Sequence, residues 1–214
     1  MNTVTLTRAE TELDRVYPWV VKSRRQSQLL NAWQECRSHY SRLPAFSDFA
    51  DATHRYPDQD ELTVYKIVRE ADTLRYLIVK ESVGFQTILG RASTGRFLDE
   101  VLPPLSWRTA QPTFDACVRQ QLPVYIAFSF VERDGENTLC ERLLLPFGAQ
   151  TAEVTTILSA FKTTTWKDPT ARATQLDARQ PRYSFGAVIA LLDDATPAFS
   201  SDLEGPGHAD GTIR

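Results

Sequence analysis

Between Ser23 and Tyr40 the side chains Leu29, Trp33, Cys36 and Tyr40 recur at intervals of four, three and four. That spacing puts them on one face of a helix. Ser23 stands where a helix cap is needed. Such a stripe must be buried, either on its own domain or against a second subunit. A connector containing Pro, Asp and Ser spans Leu43 to Asp60, with a short helix expected at Ala45 to Ala52. From Leu62 the pattern is that of strands. Leu62 to Glu70 and Leu74 to Lys80 are rich in Val, Ile, Leu and Tyr, and Ala71-Asp72-Thr73 between them suits a hairpin.

Helical segments follow. Ser82 to Leu89 reads as a short helix stopped at Gly90, and Thr94-Gly95 as a loop. Arg96 to Leu102 reads as another short helix, ended by Pro103-Pro104. Ser106 is placed to cap a longer helix at Trp107 to Gln121, with Ala110, Phe114, Cys117, Val118 and Leu122 on one face. Pro112 inside it marks a late start or a kink. Three more strand-like runs come next, at Pro123 to Glu132, Leu139 to Phe147 and Val154 to Phe161. Strands clustered after a helical insert predict an antiparallel meander and an α+β layer rather than alternating parallel units.

The ends carry weaker patterns. Residues 1–22 read as an N-terminal extension, 23–166 as the domain and 167–214 as a C-terminal extension. In the last of these, only Tyr183 to Leu192 is apolar enough to be ordered, as a strand or a docked helix. From about Asp194 the chain is rich in Asp, Pro, Gly and Ser without periodicity, which predicts disorder.

Composition narrows the classes. The 214 residues are 42% hydrophobic and 24% charged, with a formal charge of −3. This is a globular composition with no bulk attraction to nucleic acid or anionic lipid. No run approaches the roughly 20 apolar residues that span a bilayer, and the N-terminus lacks the apolar segment of a signal peptide. Cys36, Cys117 and Cys140 are scattered and odd in number, which suits free thiols in a reducing cytoplasm.

Two phrases are more specific: TGRFLDEVLP at Thr94 to Pro103 and CERLLLPF at Cys140 to Phe147. With two strands before them, a helix between them and three strands in all after that helix, the segment from Ser23 to Trp166 resembles the PAS sensory domains. In particular it resembles the branch of small proteobacterial proteins built from one PAS domain with short extensions. The resemblance implies a five-stranded antiparallel sheet with helices covering one face, here preceded by an N-terminal helix. It also implies that any ligand sits between sheet and helices, and that the role is sensing or signalling rather than catalysis.

Candidate chemistry is thin. Haem-binding PAS domains usually ligate iron through a His on or near the long helix, and the histidines here stand at 39, 54 and 208. Flavin photoreceptors of the superfamily need a Cys in a phrase resembling NCRFLQ, whereas this chain has Gly95 before Arg96-Phe97-Leu98. No cofactor is expected. Asp99 and Glu100 are neighbours that would point about 100° apart on a helix, so they do not share a proton. Asp58, Asp60 and Glu61 lack the spaced ligands and Gly of a calcium loop. Gly90 and Gly95 make no phosphate-binding fingerprint. Lys22, Arg24 and Arg25 are too few to bind nucleic acid. The expectation is no enzyme and no metal.

Phe85, Phe97, Trp107, Tyr125 and Arg142 are the candidate ligand-binding residues. Arg142 stands out because a charge bordered by leucines in a sheet needs a partner. Glu141, Glu132 or Asp99 would make that partner a salt bridge, and a ligand carboxylate or phosphate is the functional alternative. Leu29, Trp33, Cys36 and Tyr40 are the candidate dimer helix. The expected protein is a stand-alone, cytoplasmic, homodimeric signalling protein that binds a small molecule or an unknown signalling partner. The alternative is a ligand-free structural adaptor.

Overall fold

The computed structural model describes residues 13–39, 43–53, 62–71, 73–131, 137–148, 153–165 and 183–189. In chain order these form β1 (Asp14–Val16), a 3-10 turn (Pro18–Val20), α1 (Arg24–His39), α2 (Phe46–Thr53), β2 (Leu62–Glu70) and β3 (Thr73–Lys80). They continue with α3 (Val83–Leu89), α4 (Leu98–Val101), α5 (Pro104–Gln120), β4 (Val124–Val131), β5 (Asn137–Gly148), β6 (Val154–Thr165) and β7 (Tyr183–Ile189).

The local signals acted largely as their chemistry requires. Ser82 accepts a hydrogen bond from the Phe85 amide and caps α3, which ends where Gly90 turns left-handed at φ 66°. The long helix starts earlier than Ser106 suggested. Pro104 opens it, in the first turn where a missing N–H costs nothing, and Pro112 is carried inside it. Gln121 then ends it in a left-handed conformation.

The five expected strands pair antiparallel, β2 with β3 and β6, β4 with β5, and β5 with β6. The sheet is nevertheless seven-stranded, in the order β1-β7-β4-β5-β6-β2-β3. The expectation of five strands is corrected. Segment 183–189 is a strand that pairs antiparallel with β4, and it takes β1 in parallel register on its other side. Both predicted extensions therefore contribute to the sheet. The stretch from Asp194 lies outside the described residues.

Helices covering one face is also corrected. In β5 the consecutive residues 140–148 are all buried, so side chains on both faces of the strand are shielded. One face meets α5, where Phe114 lies against Tyr65 of β2 and Tyr76 of β3. The opposite face meets the N-terminal helices, with Phe46 and Phe49 of α2 against Phe147 of β5.

Helix α1 is joined to the sheet by specific bonds. The Trp33 indole donates to the Pro146 carbonyl at 2.7 Å, and the Gln26 amide donates to the carbonyls of Glu141 and Ala160 at 3.2 and 2.9 Å. Leu29 is buried and Trp33 has 0% exposure. The expectation that Leu29 and Trp33 meet a second subunit is therefore corrected: their stripe is consumed within the chain. Cys36 is only partly buried, and Tyr40 lies outside the described residues.

The free edge of β3 is covered by the first of the two phrases. Gly95 donates to the Ile78 carbonyl at 2.8 Å, and the Ile78 amide donates to the Arg96 carbonyl at 3.0 Å. Gly95 does this at φ 83°, a backbone that favours glycine. Leu98 and Val101 of α4 insert into the core, while Asp99 and Glu100 both hold Arg75 of β3, at 3.0 and 2.8 Å. The phrase is thus a clasp that blunts an edge strand.

Trp33→Glu places a carboxylate in a fully buried position and removes the indole bond to Pro146, and the Arg37 guanidinium, 5.4 Å from the Trp33 ring, offsets this only in part, so the change costs several kcal/mol. The expected outcome is loss of the cooperative unfolding transition in circular dichroism. Trp33→Phe removes the bond to Pro146 and should cost about 1 kcal/mol while leaving the fold intact.

Candidate functional site

The layer between α5 and the sheet gathers most of the unusual side chains. Strand alternation sends Tyr65, Tyr76, Ile126, Arg142 and Phe161 to this face, and α5 lowers Phe114 into their midst. The rings of Tyr65 and Tyr76 lie 5.1 and 5.0 Å from that of Phe114. Trp107, one turn into α5, meets Tyr76 edge-on at 6.1 Å. The Arg142 guanidinium stands 5.1 Å from the Phe161 ring and 5.9 Å from the Phe114 ring. In register, Arg142 lies between Ile126 of β4 and Phe161 of β6, at the middle of the sheet.

Electrostatics single out Arg142. Its side chain belongs to a residue only 8% exposed, and its Nε has no hydrogen-bond partner. Two of the three carboxylates considered for it are engaged elsewhere. Glu141, its neighbour, projects from the opposite face, where it accepts from the Tyr125 hydroxyl and pairs with Lys162 at 3.6 Å. Asp99 pairs with Arg75. Asp115 of α5 accepts from the Tyr76 hydroxyl. Glu132 lies outside the described residues. Among the described residues no carboxylate forms an ion pair with Arg142.

The buried phenols hold their protons strongly. Burial pushes Tyr65 up to about 12, with the charge on Arg142 acting in the opposite direction. Burial and then the carboxylate of Asp115 push Tyr76 well above the ordinary range. Tyr125 is raised by burial and by Glu141. Burial also raises the Cys117 thiol, which makes it a poor nucleophile. No disulfide joins Cys36, Cys117 and Cys140, and among the described residues no cluster of three potential ligands is arranged for a metal.

The five candidate residues are not one constellation. Trp107 and Arg142 share the α5 layer. Phe85 is buried in the same core beneath α3. Phe97 is spent at the sheet edge, where the Arg75 guanidinium lies 3.7 Å over its ring. Tyr125 is on the far face with Glu141. In their place the layer contains Tyr65, Tyr76, Phe114 and Phe161. Alternation from the buried Ile67 and Ile78 could have found the first two, since Tyr65 pairs with Ile78 and Ile67 with Tyr76.

No family model matches the chain, and no curated protein matches it. Among solved structures it is similar to the PAS domain of a Colwellia psychrerythraea protein. That domain is 13% identical, covers 55% of this chain and 99% of its own, and has a TM-score of 0.39. It is also similar to a light-oxygen-voltage domain studied with a flavin analogue (14% identity, 56% of this chain and 86% of that one, TM-score 0.37). A fungal light-oxygen-voltage photoreceptor domain is similar at 13% identity, 51% and 78% coverage and a TM-score of 0.32. At such identities and overlaps these likenesses assign no role, and function has to be read from the side chains. No helix among the described residues is long and apolar enough to cross a membrane.

Because Tyr65 is more acidic unfolded than folded, the folded state keeps a proton that the unfolded state loses. Its contribution to stability is complete below about pH 10, the ordinary phenol range, and is lost as pH rises toward about 12. Urea titrations should therefore show stability falling across that window. Tyr65→Phe should flatten the fall by up to about 1.4 kcal/mol per pH unit, one proton's share.

Proposed function

We propose that this chain is a PAS-type sensory module without catalysis of its own, which holds a small molecule between α5 and the sheet and signals by altered association with a protein partner or a second copy. The observation that carries this reading is the buried guanidinium of Arg142, ringed by Phe114 and Phe161 and lacking a carboxylate partner among the described residues. A charge kept in such a layer is costly to the bare fold, and a bound molecule is what makes it useful. The association surface is Tyr17 and Trp19, whose rings stack at 4.3 Å beside β1 with Trp19 66% exposed. Exposed aromatics of this kind are enriched in interfaces. Chemistry by an activated nucleophile has no support in the buried, proton-holding Cys117. Unbridged thiols agree with a reducing, cytoplasmic setting.

The same Tyr17–Trp19 stack supports a second reading, a ligand-free adaptor that docks through this edge while its core stays filled. Native mass spectrometry of gently purified protein separates the two. The sensory reading expects a bound small molecule lost on denaturation, and a solution without the absorption of haem or flavin. Bare chain mass under every gentle condition, together with association that Trp19→Ala abolishes, would leave the adaptor.

A further inference from the structure

Three properties of Arg142 define what it can hold. A guanidinium does not shed its proton to escape burial, so the charge persists in the layer. Flanking rings offset that charge only in part. The unpartnered Nε is a donor with no acceptor, and a planar guanidinium presents its donors as a fork that fits a carboxylate bidentately. The neighbours limit the ligand further. Phe114 and Phe161 give apolar, aromatic contact, and Arg108 and Arg119 of α5 are on its exposed side. Asp115 of the same layer is engaged by the Tyr76 hydroxyl, which leaves the Arg142 charge to balance one negative group. Inorganic phosphate, carrying more, would leave the excess uncompensated.

We propose that Arg142 is the anchor of a site for small monocarboxylates with an aromatic or aliphatic body, the carboxylate on the guanidinium and the body against Phe114 and Phe161. This rests on the sensory reading above and deepens it by naming the ligand class.

The test uses the full chain and three matched pairs: benzoate with benzamide, phenylacetate with phenylacetamide, and hexanoate with hexanamide, plus inorganic phosphate. Thermal shift and isothermal titration should show binding of at least one carboxylate, with its amide and phosphate far weaker. Arg142→Gln should weaken that carboxylate roughly ten- to hundredfold, the range of a lost charge-assisted hydrogen bond, with circular dichroism unchanged. Should Arg142→Gln fail to fold, Arg142→Lys keeps the charge without the fork and should still bind more weakly. Equal response to acid and amide would overturn the proposal. So would silence of all three carboxylates, or a carboxylate shift undiminished in Arg142→Gln or Arg142→Lys. A neutral molecule found by native mass spectrometry alongside such silence would overturn the carboxylate site and leave the sensory reading standing. Silence with no bound molecule of any kind would remove both.

Discussion

Burial of β5 on both faces is the constraint from which the rest of the arrangement follows. A strand in mid-sheet that carries Leu143, Leu144, Leu145 and Phe147 in succession cannot leave either face in water, since each exposed leucine forgoes about 1.5–3 kcal/mol of burial. One helical layer therefore does not suffice. α5 covers the Leu144 side, and the chain before the first long strand has to return over the Leu143 side as α1 and α2. The bonds from Trp33 and Gln26 to strand carbonyls fix where that cover sits. Backbone oxygens serve as its anchor points, so the docking depends on strand position as much as on side-chain shape.

The same strand explains why charge is distributed as it is. Glu141 and Arg142 are consecutive, and consecutive strand residues point to opposite faces. Each is therefore denied its nearest opposite charge. Glu141 finds Lys162 and Tyr125 on the α1 side. Arg142, on the α5 side, finds aromatic rings. Two residues that would cancel on a loop become two separately placed charges, one paired within the chain and one, among the described residues, without a carboxylate partner. The clasp at the sheet edge behaves differently: Asp99 and Glu100 are adjacent on a single helical turn and both reach Arg75.

Much of this was legible in the residues. The hairpin strands, the short helix near Ser82, the stop at Gly90 and the helix from Ser23 are local signals with local causes, and they stand close to where the pattern put them. The partner of the helix stripe was not legible, because periodicity shows that a face is buried and not what buries it. The run LCERLLLPF did hold an unused clue. Three successive leucines do not alternate, and a strand without alternation is covered on both sides. The edge strand Asp14–Val16 has no such clue: a three-residue segment is placed by its partner, not by its composition. Tyr125 was assigned to the ligand side although alternation from Val124 and Ile126 opposes it, and its polar tip was better read as a hydrogen-bonding group for a buried acid.

The parallel pairing of β1 with β7 joins segments some of the farthest apart in the chain, and this sets an order of events during synthesis. When β4 leaves the ribosome its outer edge has no neighbour, because β7 has yet to be made. β1, made first, waits longest, having nothing to pair with until Tyr183–Ile189 appears. A nascent chain therefore carries an open β4 edge until Tyr183–Ile189 has been made, the kind of edge that recruits other chains. Closure of that edge by β7 is the step at which the protein stops being a hazard to its neighbours.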